Sequence, residues 1–224
     1  MRDLRKIAAV ASCSLLLAAC VTEKPSKVDL DKLTSLKVEI SNGQIGTSAA
    51  PLPFNPAGAP FTLQLTALNG KGEVALDFDG PVVVTSQPGK IVTPQINFSN
   101  GEGTANITLE KAFGVTRLWV EDPKTYATGV SEPIFYRGPK IADVQASATT
   151  ITSPFEGSRV PIDDTTNLVV TAISRDGFYI TDVDATEWAS IFAFTFSAPT
   201  GLSVGDNITN VSGRVSEFLG RAVT

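Results

Sequence analysis

Phe61-Thr62-Leu63-Gln64-Leu65-Thr66-Ala67 alternates apolar and polar side chains without a break, and Asn69-Gly70-Lys71-Gly72 follows close behind. A period of two belongs to a strand with one buried face, and an Asn-Gly pair tolerates the backbone angles of a tight hairpin. The same texture extends outward. Pro81-Val82-Val83-Val84-Thr85 is a β-branched run bounded by Gly80 and by Pro88-Gly89. Ile96 and Phe98 lead into Asn100-Gly101-Glu102-Gly103. Ala105, Ile107 and Leu109 then share a face, as do Thr116, Leu118 and Val120 around Trp119. Residues 130–136 read as a last strand, which Pro133 places at a sheet edge. Short strands separated by turn signals predict a β-sandwich over residues 35–138.

Composition narrows the chemistry. The chain has 224 residues, 42% hydrophobic and 18% charged, which is globular rather than disordered or fibrous. With 18 glycines and 14 prolines, about one residue in seven favours a turn. There is no histidine. That excludes a Ser-His-Asp triad, a Cys-His dyad and a His-ligated zinc site. No catalytic residues, metal ligands or cofactor are expected.

Arg2, Arg5 and Lys6 precede an apolar run from Ile7 to Ala19. Thirteen residues are too few to span about 30 Å of hydrocarbon, and they suit the core of a secretory signal. Leu17-Ala18-Ala19-Cys20 resembles the lipobox of bacterial lipoproteins. The resemblance implies a signal peptide over residues 1–19, cleavage between Ala19 and Cys20, and acylation of Cys20. Val21 in place of aspartate after the cysteine implies sorting to the outer membrane. Cys20 then holds the chain to the bilayer, several acyl chains being a stable anchor where one is marginal. Residues 20–34, polar and interrupted by Pro25, read as a tether, with a helical turn expected over 29–36. Cleavage removes three cations and one acid, so the net charge moves from −5 to −7. It also removes Cys13, and lipid occupies Cys20, so packing alone is left to hold the body.

Residues 35–138 resemble bacterial immunoglobulin-like domains through three pieces. They are the alternating strand before Asn69-Gly70, the approach Asn100-Gly101-Glu102-Gly103-Thr104-Ala105, and Gly114-Val115-Thr116-Arg117-Leu118-Trp119-Val120. That resemblance implies a spacer or adhesive module. Gly138-Pro139 marks a boundary, and residues 139–224 form a second β region with strands expected over 168–174, 177–182, 191–197 and 207–218. Asp176-Gly177-Phe178-Tyr179-Ile180-Thr181-Asp182, Val204-Gly205-Asp206 and the stretch from Val211 to Gly220 resemble an OB-fold module, similar to those that precede the catalytic domain of some secreted nucleases. An OB barrel uses five strands, and the fifth is not evident after Gly213. Three readings stay open: an incomplete barrel with an unpaired edge, closure by residues 143–155, or truncation of a longer hydrolase-like protein that retains only accessory domains.

Phe192, Phe194 and Phe196 fall at alternate positions, with Phe178 and Tyr179 nearby. They read either as a stacking platform for single-stranded nucleic acid or as barrel core. From Ile141 onward there are ten acids and four cations, and a balance of −6 repels phosphates. The expectation is therefore core, and no nucleic-acid partner. Asp182-Val183-Asp184-Ala185-Thr186-Glu187 and Asp77-Phe78-Asp79-Gly80 lack the spacing of an EF-hand loop and read as solvated turn acids. The expectation is an all-β, non-catalytic lipoprotein anchored in the outer membrane of a bacterial envelope. Its expected role is binding, display or envelope structure, toward an envelope protein or glycan.

Overall fold

The computed structural model describes residues 29–93, 95–145, 152–218 and 221–223. Its first half consists of β1 (Leu33–Asn42), β2 (Ala59–Asn69), β3 (Gly80–Gln87), β4 (Lys90–Val92), β5 (Gln95–Phe98), β6 (Glu102–Glu110), β7 (Gly114–Glu121), β8 (Thr128–Val130) and β9 (Ile134–Tyr136). One antiparallel sheet runs β1-β2-β6-β4 and another β5-β3-β7-β8, with β9 pairing farther along β7. Leu63 lies opposite Ala105 and Thr85 opposite Trp119. The alternation in β2 buries Phe61, Leu63, Leu65 and Ala67. These meet Val82, Val84, Ile96, Leu118 and Val120 from the facing sheet in one apolar cluster. Each fully buried Leu or Val here contributes about 1.5–3 kcal/mol.

Two local expectations change. β1 begins at Leu33 and takes the second half of the helical turn expected over 29–36, because Leu36 and Val38 join the core; of the expected tether, residues 20–28 lie outside the described residues. The strand expected over 130–136 is two, β8 and β9, both on β7, with Ser131–Pro133 outside the ladder. The Ser131 hydroxyl, which accepts from the Leu118 amide at 3.1 Å, holds the break in place.

The second half holds α1 (Ile141–Gln145), β10 (Arg159–Pro161), β11 (Leu168–Ile173), β12 (Gly177–Asp182), β13 (Ser190–Phe194), β14 (Asn207–Ile208), β15 (Ser212–Arg214), β16 (Ser216–Phe218) and β17 (Arg221–Val223). A sheet runs β14-β11-β12-β13-β17-β16, and β15 pairs with β10. Both ends of that sheet, β14 and β16, belong to one stretch of chain, so the pairings curl back on themselves. Under the incomplete-barrel reading an edge stands open; β13 instead pairs on its second side, in parallel with β17, Phe192 opposite Val223. The proposed closing segment instead begins as α1, whose Ile141 and Val144 are fully buried. The expected long strand over 207–218 is three short ones, with fully buried Val215 between the last two. Its amide donates to Ser158 O at 2.8 Å, which continues the β10–β15 pairing past Arg214.

The two halves share side chains. Phe113, between β6 and β7, belongs to the second core, and its ring meets Phe155 edge-on at 5.8 Å. Phe54, from the loop after β1, packs on the other flank of Phe155 at 5.7 Å. The Gly138-Pro139 boundary is tied down as well. The Asp163 amide donates to Pro139 O at 2.9 Å, and Arg137 lies 3.7 Å from the Asp163 carboxylate.

Candidate functional site

Ala19 and Cys20, the expected cleavage and lipidation residues, lie outside the described residues. Among the described residues no helix is long and apolar enough to cross a membrane, and no group of three or more acids or cysteines is placed to hold a metal ion. The acidic turns have structural duties. Asp79 accepts from the Asn100 amide at 2.8 Å. Asp182, expected to be solvated, is only 3% exposed and accepts from the Asp184 amide at 3.2 Å.

β13 overturns the expectation for the phenylalanines. Ile191 and Ala193 face the core, which puts Ser190, Phe192 and Phe194 on the outer face. The smaller residues take the interior because α1, Phe155 and Val215 already fill it. Phe194 is 44% exposed and Phe196, beyond the strand end, is 87% exposed, their rings meeting edge-on at 4.6 Å. Phe196 has a φ of +64, a region that bulky residues seldom adopt. Phe192 is half-buried. It packs 5.0 Å from Tyr179 across the β12–β13 pair and lies over Gly177. A Cβ on Gly177 would stand 2.6 Å from Phe192 Cζ, so the missing side chain is what lets the ring lie down. A row of hydroxyls continues this face: Thr171 and Thr181 are 2.8 Å apart, Thr181 and Ser190 2.7 Å.

Around the end of β13 opens a cleft of about 820 Å³. Phe178, Ile180, Ala193, Ile208 and Val211 give it an apolar lining, and Phe194 and Phe196 line it too. Its polar members are Asp176, Thr195, Thr209, Asn210, Ser212, Arg214, Ser216 and Glu217. One Glu217 carboxylate oxygen accepts from the Ser153 amide, while the other is buried without a partner among the described residues. Arg214 stands opposite Arg159 across β10–β15, and neither makes an ion pair among the described residues. The size and the mix of apolar lining with a few polar groups are those of a small-ligand or side-chain pocket.

The chain was compared with known protein families, curated proteins and solved structures, and it matches none of them.

The phenylalanine repeat directed attention to the right strand but to the wrong face. The other wall, Ile208 to Glu217, carries no periodic signal, since its strands are two or three residues long. Tyr136, whose buried hydroxyl has no partner among the described residues, shows in the sequence only as the end of a strand. Burial pushes that hydroxyl up to about 12.

Proposed function

We propose that this chain is a lipid-anchored, non-catalytic binding protein of a bacterial outer membrane. In this reading acylated Cys20 is the anchor, and the residues before β1 are a short spacer. The first half is an immunoglobulin-like sandwich that acts as a stalk. The second half is an OB-like barrel that presents the cleft to an apolar segment of an envelope protein or glycan. The pairing order supports the barrel, with three successive antiparallel strands followed by a final strand parallel to the third. The acidic balance of the second half argues against nucleic acid.

The observation that carries the binding role is the pair Phe194 and Phe196, left open to solvent beside an apolar cleft. An uncovered phenylalanine forgoes roughly 1.5–3 kcal/mol of burial, and exposed apolar patches of this kind mark contact surfaces. The test places a photo-crosslinking phenylalanine analogue at position 196, or at the exposed loop residue Leu76 as control, in the full chain in bacterial envelopes. Position 196 should capture one discrete component that position 76 does not. Equal capture at both positions, or none at 196, refutes the reading.

A further inference from the structure

The sandwich has a cavity of its own, about 500 Å³, at the end where β1 leaves the sheet and β2 enters it. Three features set it apart from the cleft. Every residue that lines it is uncharged. Its polar side chains are amides and a hydroxyl: Asn42, Gln44, Asn55, Asn106 and Thr62. Tyr136 forms part of its wall, 7% exposed, with a buried hydroxyl that has no hydrogen-bond partner among the described residues.

Asn55 is spent on its own loop, donating to Gly58 O at 2.7 Å and accepting from the Ala57 amide at 3.0 Å, but the other amides keep free capacity. Asn42 and Gln44 make no side-chain hydrogen bond among those described, and Asn106 uses only its oxygen, which accepts from the Thr62 hydroxyl at 2.8 Å. A primary amide offers two donors and an acceptor, and a hydroxyl offers one donor and accepts as well. Such a set matches a ligand whose own groups both donate and accept, and it offers nothing to neutralise a charge. Beneath it lies an apolar floor. Gly43 rests against the Phe61 ring at a φ of +127, where a Cβ would stand 2.4 Å from Phe61 Cδ1. A side chain there would displace the ring.

The loop over this cavity is held by the main chain. Phe135 N donates to Ile45 O at 2.7 Å, Leu52 N to Phe135 O at 2.8 Å, and Arg137 N to Leu52 O at 2.8 Å. The site is therefore formed before any ligand arrives, which lowers the ordering cost of binding.

We propose that this cavity binds a neutral sugar ring, with the hydroxyls met by the amides of Asn42, Gln44 and Asn106 and a C–H face laid on the exposed rings of Pro53 and Pro60. The inference does not depend on the role given to the cleft.

The test titrates the full chain in detergent with N-acetylglucosamine, and with glucuronate and glucosamine as anionic and cationic controls, by calorimetry. Saturable binding is expected for the neutral sugar, at least about tenfold tighter than for either charged one, whose charge the lining leaves unpaired. Asn42→Ala with Gln44→Ala, both at exposed positions, should weaken it by about tenfold with an unchanged melting temperature, since two neutral hydrogen bonds are lost. Phe196→Ser, in the other half, should leave it unchanged. No saturable binding by chain that melts cooperatively overturns the proposal. So does equal binding of the charged controls, or indifference to the double substitution.

Discussion

Replacing Phe113 with alanine should loosen the half of the molecule that does not contain it. Phe113 lies in the turn between two sandwich strands, yet its ring is 9% exposed within the second core and edge-on to Phe155. A buried phenylalanine cut to alanine costs about 3–5 kcal/mol, of which roughly 0.5–1.5 kcal/mol is the aromatic pair. At about 1.4 kcal/mol per tenfold, the opening constant of the second half should rise roughly a hundredfold or more. A domain is stable by only about 5–15 kcal/mol, so this is a large share of the margin. Hydrogen exchange followed by mass spectrometry reads it directly: amides of β11 and β12 should lose protection while those of β2 and β7 keep theirs. Leu63→Ala, which cuts a fully buried residue of the first core, should give the opposite pattern at about 2–5 kcal/mol. Equal loss across β2 and β7 in the Phe113 variant, or undisturbed protection in β11 and β12, would refute the assignment of that ring to the second core.

Burial works against the charge of Asp122, but hydrogen bonds from the Thr125 hydroxyl (2.6 Å) and amide (3.0 Å) and from the Lys124 amide hold its carboxyl below the usual range. A depressed carboxyl stabilises the fold above its unfolded value near 4 and loses that contribution as pH falls through the folded value. The urea midpoint gap between wild type and Asp122→Asn should therefore close on acidification from pH 5, and a constant gap would count against it. Tyr136 runs the other way: its hydroxyl, raised to about 12, contributes stability present below pH ~10 and lost as pH climbs through 12. Tyr136→Phe should remove that alkaline loss, and a variant that melts with the wild-type pH profile would disprove it. Gly177→Ala puts a Cβ 2.2 Å from Ala193 O and 2.6 Å from Phe192 Cζ, so about 1–3 kcal/mol of stability and the near-ultraviolet dichroism of the Tyr179–Phe192 pair should be lost. A variant that melts like wild type would show that the strands part without cost. Cys20→Ser should abolish incorporation of labelled palmitate, and a labelled variant would disprove the anchor.

What was legible in the chain followed the strength of the local signal. β2, β6 and β7 alternate over eight to eleven residues and sit where their periodicity puts them, and β3 sits where its β-branched run and flanking turn residues put it. β1 carries the same signal, Leu36, Val38 and Ile40 alternating with Lys37 and Glu39, and the expected helical turn over 29–36 hid it by claiming its first residues. β10 and β14 through β17 are too short to carry a period; their places come from partners far along the chain, such as Arg159 opposite Arg214. The phenylalanine repeat marks one face of a strand for Phe192 and Phe194, while Phe196 lies beyond the strand end. Which face turned inward depended on what already filled the interior, and Val144, Phe155 and Val215 are not neighbours of β13 in sequence. The cleft and the amide-lined cavity were hidden for the same reason: each is assembled from segments that meet only after folding.

The ladders of the sandwich join residues far apart in the chain: Phe61 to Ile107, Thr85 to Trp119, Leu52 to Tyr136. Closing such loops comes before any pairing can reward it, and β-sandwiches of high contact order fold in milliseconds to seconds, far more slowly than helical bundles. For a chain proposed to leave the cytoplasm, that delay is useful. A polypeptide that hesitates before folding remains threadable, and the separation between its paired strands gives an export channel time to act before the core can lock.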